Sequence, residues 1–304
     1  GGAREFRLEE AEGGVRLPAP DRPGYHRLLV GDRVATLAVA PVSAPSIAGT
    51  HGRRRYGLAA QVYGLARPGD GGFGDFAAVG DLAEAAARRG ADCLALSPTH
   101  ALYAADPHHF APYSPSSRLF LNALHAAPER VLGAEVCAPV AARFETEVAA
   151  ARAGALIDWP NVARVRFAYF RALFDAIGAT LLPADFTRFR ADGGRALERH
   201  ALFEALHARQ FSRDLARWNW RDWDAPLRDP ASVEVAAFAR EAADDVTFYV
   251  FAQWLADRSL AEALARALAA GMNIGLIADL AIGLNAGGAQ AWSAPGDLLL
   301  GLSI

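Results

Sequence analysis

The chain has 304 residues, a mass of 32.3 kDa and 52% hydrophobic residues, enough to bury a substantial core in one large or two smaller domains. A formal net charge of −3 and a pI of about 6.3 leave no electrostatic footprint for nucleic acid or an anionic membrane. Lysine is absent, so all 31 formal cations are arginine, which excludes a Schiff-base lysine and the lysine of a phosphate-binding loop.

In chain order, Gly1 to Pro18 mixes charges with little periodicity and reads as a poorly ordered start or an edge-strand fragment. From Tyr25 the text YHRLLVGDRVATLAVAP reads as a hairpin, because two apolar runs flank Gly31-Asp32. Ser43 to Arg55, rich in small residues, proline and arginine, reads as a linker. Leu58 to Tyr63 is the next apolar run, and Gly and Pro punctuate Arg67 to Gly74 after it. Asp75 is placed to cap a helix whose apolar face carries Phe76, Val79, Leu82, Ala83 and Ala86, with Gly90 as its stop. Ala91 to Leu96 is short enough for a buried strand, and Ser97-Pro98 ends it. Strand, helix and strand in this order favour a parallel sheet, whose loops converge on the carboxyl side where such sheets bind ligands.

His100 to Arg118 follows as a long loop with Tyr103, Asp106, His108, His109, Phe110, Tyr113, Ser114, Ser116 and Ser117, stiffened by three prolines. Ring faces and hydroxyls held in this way suit a sugar, although a surface loop is polar and turn-rich for ordinary reasons as well. Glu129 to Arg152 reads as one or two short helices. Asp158 to Gly178 holds a clearer helix with Val162, Val165, Tyr169, Leu173 and Ala176 on one face. Another helix is expected from about Arg195 to Leu215. Trp218, Trp220 and Trp223 come next and are expected to anchor a loop in the core. Ser232 to Ala270 reads as two helical parts, the second turning Val246, Tyr249, Val250, Gln253, Trp254 and Leu260 or Leu264 inward. Met272 to Asp279 is nearly continuous in apolar character, as a parallel strand covered on both faces should be, and ends on an aspartate.

Asp279 is a candidate for function, because a carboxylate at the carboxyl end of a parallel strand sits at the rim where sites form. The competing reading is a carboxylate that accepts from backbone amides of the next loop. Adjacent His108 and His109 lack an HExxH or a spaced Cys/His set, so no metal site is expected. Gly69, Gly71, Gly72 and Gly74 do not make the dinucleotide fingerprint, and GxSxG is absent. Cys93 and Cys137 are isolated and read as reduced and structural, which points to a cytoplasmic protein. No apolar run reaches membrane-spanning length, and the first residues have no signal-peptide core.

The segments YGLAAQVYGL, GFGDFAAVGDL and FAPYSPSSRLFLN resemble the amylomaltase family, bacterial 4-α-glucanotransferases of the α-amylase superfamily. Tyr113 to Arg118 is the sharpest part; Asp244 to Ala265, Ile277 to Gly283 and Gly287 to Trp292 follow in the same order. The resemblance implies an α/β fold, the first part of a (β/α)8 TIM barrel with a mainly helical insertion at about 100–230 after the second strand. Residues 51–304 would form this part, and residues 1–50 the end of a small N-terminal β-sandwich and its linker. It also implies that Tyr113, Ser114 and Asp279 bind substrate, α-1,4-glucans and maltooligosaccharides, with no cofactor. Asp279 would hold the sugar next to the cleavage point and be neither nucleophile nor acid.

The family's retaining chemistry needs two carboxyl groups roughly 5 Å apart, one attacking the anomeric carbon and one protonating the leaving oxygen. Its three catalytic carboxylates come from later barrel strands, so they are expected beyond residue 304 and no catalytic residue is assigned here. The chain alone is expected to be inactive and to associate through an open barrel edge. A non-catalytic α-glucan-binding or structural domain is the alternative. Two departures stand beside the expected cleft: Gly72 replaces the family's tryptophan, and Ala281 replaces a common proline.

Overall fold

The structure, a computed structural model, describes residues 9–18, 20–43, 54–178 and 182–297. It divides into two compact units, 1–55 and 56–304. In the first, β1 (Glu9–Ala11) pairs antiparallel with β2 (Gly14–Arg16), and β3 (Gly24–Val30) with β4 (Arg33–Val39). Gly31 turns the second hairpin at a φ of 57°, which a side chain would resist. The linker expected over Ser43–Arg55 falls almost wholly outside the described residues.

The second unit is organised by a parallel sheet of β5 (Gly57–Ala60), β6 (Cys93–Leu96) and β9 (Gly275–Ala278), with β6 central. These are the three expected strands, sharing one sheet but shorter than their apolar runs. After β5 the chain turns tightly at Val62–Gly64, closed by Leu65 N–H to Val62 O at 3.1 Å, so Val62 is buried by a turn and not by a strand. Met272 is likewise buried while its N–H still donates to Ala267 O, closing the helix before it. No sheet among the described residues closes into a barrel. Leu94 and Leu96 are buried, whereas Leu58 and Ile277 are 44% and 43% exposed, so the sheet is not covered on both faces as its composition led one to expect.

Between β5 and β6 runs α1 (Phe76–Ala87). Asp75 caps it by accepting from Ala78 N–H at 2.9 Å, and the side chains at Phe76, Val79, Ala83 and Ala86 are buried. After β6 the expected loop is in part a hairpin, since β7 (His100–Ala101) pairs antiparallel with β8 (Ser117–Leu121). Short helices α2 (Pro128–Leu132), α3 (Ala134–Ala141) and α4 (Glu145–Arg152) precede the longer α5 (Trp159–Ile177). On α5 the expected Val162, Val165 and Leu173 are buried together with Phe170 and Phe174, Tyr169 is half-buried, and Ala176 is exposed.

Helix α6 (Ala184–Arg213) begins well before the expected Arg195, with a break at Gly194, where φ is 50° and ψ is −144°. Ser232 caps α7 (Val233–Glu241), and α8 (Ala243–Ala269) forms the central pillar, packed against α1 on one side and α6 on another. Phe251, Leu255 and Ala256 of α8 are fully buried, while Leu264 is exposed. Arg266 on α8 ties α1 through Glu84 at 2.9 Å and Asp81 at 2.6 Å. The last helix, α9 (Ala289–Ser293), buries Trp292. Among the described residues no helix is long and apolar enough to cross a membrane.

Candidate functional site

The three parallel strands end level, since Ala60 pairs with Leu96 and Leu96 with Ala278. The segments that follow therefore leave one edge of the sheet together. Asp279 comes directly after β9 with its side chain exposed. Two residues on, Ala281 is buried and its N–H donates to His100 Nε2 at 3.2 Å, which fixes that nitrogen as an acceptor on a neutral ring. Burial, joined by the charge of Arg118 and opposed by that of Asp279, holds the His100 pKa below its ordinary value.

A second set of contacts lays the segment 113–118 along 282–290. Pro115 O accepts from Asn285 N–H at 2.9 Å, and the Arg118 guanidinium donates to Ile282 O at 3.2 Å. Ser116, fully buried, accepts from Ala289 N–H at its Oγ, 2.8 Å, and from Gln290 N–H at its carbonyl, 3.0 Å. Gln290 Oε1 in turn accepts from Arg118 N–H at 3.0 Å. The approach demands glycine: a Cβ on Gly283 would lie 2.6 Å from Tyr113 O, and one on Gly288 2.5 Å from Ser116 Cα.

The sequence candidates are thus distributed over two joined loops. Tyr113, 59% exposed, and exposed Ser114 lie on the first, with Ser114 N–H turned onto Ala111 O at 3.2 Å. Asp279 begins the second, and the backbone of Tyr113 touches that loop at Gly283. All three side chains reach solvent, offering one ring face, two hydroxyls and a carboxylate to a polyhydroxylated ligand. His100, Ser116, Gln290 and Gly288 join the loops but carried no functional assignment in the sequence, because each is defined by a partner far along the chain.

The neighbouring aromatics are mostly structural. His109 pairs with Asp106 at 2.8 Å and lies on Trp218 with ring centroids 4.5 Å apart. Trp220 and Trp223 are buried, their indole N–H groups donating to Ala286 O at 3.0 Å and Arg217 O at 2.8 Å, so they anchor loops as expected. Among the described residues no three His, Cys, Asp or Glu side chains are grouped to hold a metal ion.

Residues 60–304 match the family described as 4-alpha-glucanotransferase. This chain belongs to that family. A 4-alpha-glucanotransferase of Mycobacterium tuberculosis is 33% identical over 294 residues, which is 91% of this chain and 39% of that protein. One from Haemophilus influenzae is 25% identical over 298 residues, 92% of this chain and 43% of that protein. The crystal structure of amylomaltase from Corynebacterium glutamicum superposes with a TM-score of 0.67 at 27% identity, covering 96% of this chain and 41% of that one. An amylomaltase from Streptococcus agalactiae in complex with acarbose shares the fold, with a TM-score of 0.62 at 14% identity over 80% of this chain and 46% of that one. The chain therefore has a mixed α/β fold like that of the amylomaltases, and it spans well under half the length of these relatives.

Proposed function

We propose that this chain is part of a 4-α-glucanotransferase that moves segments of α-1,4-glucan between maltooligosaccharides by a retaining double displacement, in the cytoplasm. The observation that carries this reading is the pair of loops joined at the level ends of parallel strands in a chain of this family. Tyr113 would offer ring face and hydroxyl, Ser114 a hydroxyl, and Asp279 two acceptors to glucan hydroxyls. The sheet β5, β6 and β9 is read as the first part of a (β/α)8 barrel, the elements between β6 and β9 as its largely helical insertion, and β1 to β4 as the end of a β-sandwich domain. The nucleophile and acid, a carboxyl pair roughly 5 Å apart, belong in this reading to further strands of the same barrel. The outer edges of β5 and β9, unpaired among the described residues, support association of the chain through the open edge of its sheet.

The test is incubation of the full-length protein with maltotriose, followed by chromatography of the products. Glucose together with longer maltodextrins is expected, and Asp279→Ala should lower kcat/KM by at least about tenfold, since a charged hydrogen bond is worth roughly 1.5–3 kcal/mol. Wild-type turnover that Asp279→Ala leaves unchanged would reject the role of Asp279. Glucan binding without any transfer would favour a non-catalytic binding domain.

A further inference from the structure

Between the segments that follow β7 and β8 and helices α6 and α8 lies a small, partly open cavity of about 20 Å³ with a mixed polar and apolar wall. Its wall includes Tyr103 after β7, Asn122 after β8, His200 and Glu204 on α6, and Tyr249 and Gln253 on α8. A polar enclosure needs about 10–15 Å³ to hold a water, so this one has room for one.

Glu204 is 3% exposed, and its Oε2 accepts from Ala104 N–H at 3.0 Å. Its Oε1 is buried without a hydrogen-bond partner among the described residues, as are Tyr103 Oη and His200 Nδ1. Gln253 makes no bond to them; its amide accepts from Leu121 N–H at 3.1 Å and donates to Leu121 O at 2.8 Å. Tyr103 feels Glu204 together with Asp106 and Arg221, and Tyr249 feels it together with Asp245 and Arg171, but none of these arginines pairs with Glu204. An ionised carboxylate here would exchange its hydration shell for a single amide donor, a costly state, whereas a proton on Oε1 turns the group into a donor that needs an acceptor. Burial pushes the Glu204 pKa up to about 8 and the His200 pKa down to about 3, so both are neutral at pH 7.

We propose that this cavity is a water-binding site organised by Glu204 as the neutral acid, with Oε1–H donating to the water while Oε2 holds the Ala104 amide. The water completes its own bonds with Tyr103 Oη and His200 Nδ1. The site fastens α6 to the segment that opens the loop bearing Tyr113 and Ser114. Glu204 is thereby a positioning residue for that loop; only this last step rests on the glucan reading.

Three measurements on the full-length protein test the site, and none depends on activity. The infrared difference between wild type and Glu204→Gln at pH 7 should show the carbonyl band of a protonated carboxylic acid; its absence overturns the proposal. A crystal structure that orders internal waters should show one bonded to Glu204, and a dry cavity or a cation with short oxygen distances overturns it. Hydrogen exchange in the peptide 101–106 should change less than about twofold in Glu204→Gln and rise by about tenfold or more in Glu204→Leu. Unchanged exchange in a folded Glu204→Leu variant would refute the fastening. Should the leucine variant not fold, the first two measurements still decide. Loss of maltotriose turnover in wild type would leave all three results standing, so failure of the glucan reading is distinguishable.

Discussion

Acid stability of this chain is set in part by histidines that cannot take a proton while folded, and His207 gives the cleanest access to the effect. It has no exposed surface on α6, and its ring stacks on Phe203 at 5.6 Å and Phe211 at 5.7 Å. Burial holds its pKa down at about 4, against the opposing pull of Asp106. An unfolded histidine titrates near 6.5, so below that pH the unfolded chain gains a proton that the folded chain refuses. The stability contribution is therefore complete above about 6.5 and drains as pH falls toward about 4. Integrated from about pH 7.5 to about pH 5.0, one such group removes about 2 kcal/mol. His207→Phe keeps the aromatic stack and deletes the titration. Urea unfolding of both proteins, followed by tryptophan fluorescence, should give a stability difference that moves by about 2 kcal/mol in favour of the variant across that window. His125 and His200, held at about 4 and about 3 mainly by burial, steepen the acid limb of both proteins equally. Glu204 acts with the opposite sign: its raised pKa makes stability fall as pH rises from about 4.5 to about 8, again in both proteins. Curves that stay parallel from about pH 7.5 to about pH 5.0 would refute the reasoning.

Asp75→Ala removes the α1 cap and also takes from Arg67, bonded to it at 2.9 and 2.7 Å, one of its two carboxylate partners while Glu129 remains; a loss of about 1–3 kcal/mol is expected as a lower urea midpoint. Gly288→Val drives a side chain into the Ser116 backbone, so faster amide exchange in residues 113–118 and a loss of about 1–3 kcal/mol are expected. The 304-residue chain by itself should make no glucose and longer maltodextrins from maltotriose above background. Sustained formation of both by the purified chain would show that it holds a nucleophile and acid after all.

What was legible in the sequence was local. Asp75 and Gly90 bracket α1 because capping and helix termination are decided within a few residues, and β5, β6 and β9 stand out as short apolar runs. Their ends do not follow from the apolar runs at Val62 and Met272, since burial of an apolar side chain says nothing about whether a turn or a strand buries it. Gly193-Gly194 hid the first third of α6, because the chain is helical on both sides of the break. The ties that join the loops could not be seen at all: His100 to Ala281 and Gln290 to Arg118 span 181 and 172 positions. The roles proposed for Tyr113, Ser114 and Asp279 rest on motif resemblance together with strand position; periodicity gives these positions none.

At Gly72 and Ala281, where the resemblance implies a tryptophan and a proline, the structure shows what each residue does. Gly72 has a φ of 85°, which strains any side chain, and its N–H donates to Asp70 Oδ1 at 2.8 Å. Burial raises the Asp70 pKa, but Arg152 and the amides of Arg67 and Gly72 outweigh it and hold the carboxylate below its ordinary range. A Cβ at Gly72 would lie 3.1 Å from Ala151 Cβ, so α4 occupies the space that a tryptophan at this position would need. Ala281 is the more consequential change. A proline has no N–H, so a proline at position 281 could not donate to His100 Nε2 as Ala281 does. That bond connects the residues after β9 to β7, next to the charges of Arg118 and Asp279 that act on the His100 ring. The hydrogen bond thus ties the segment after Asp279 to β7, and it requires His100 Nε2 to stay unprotonated.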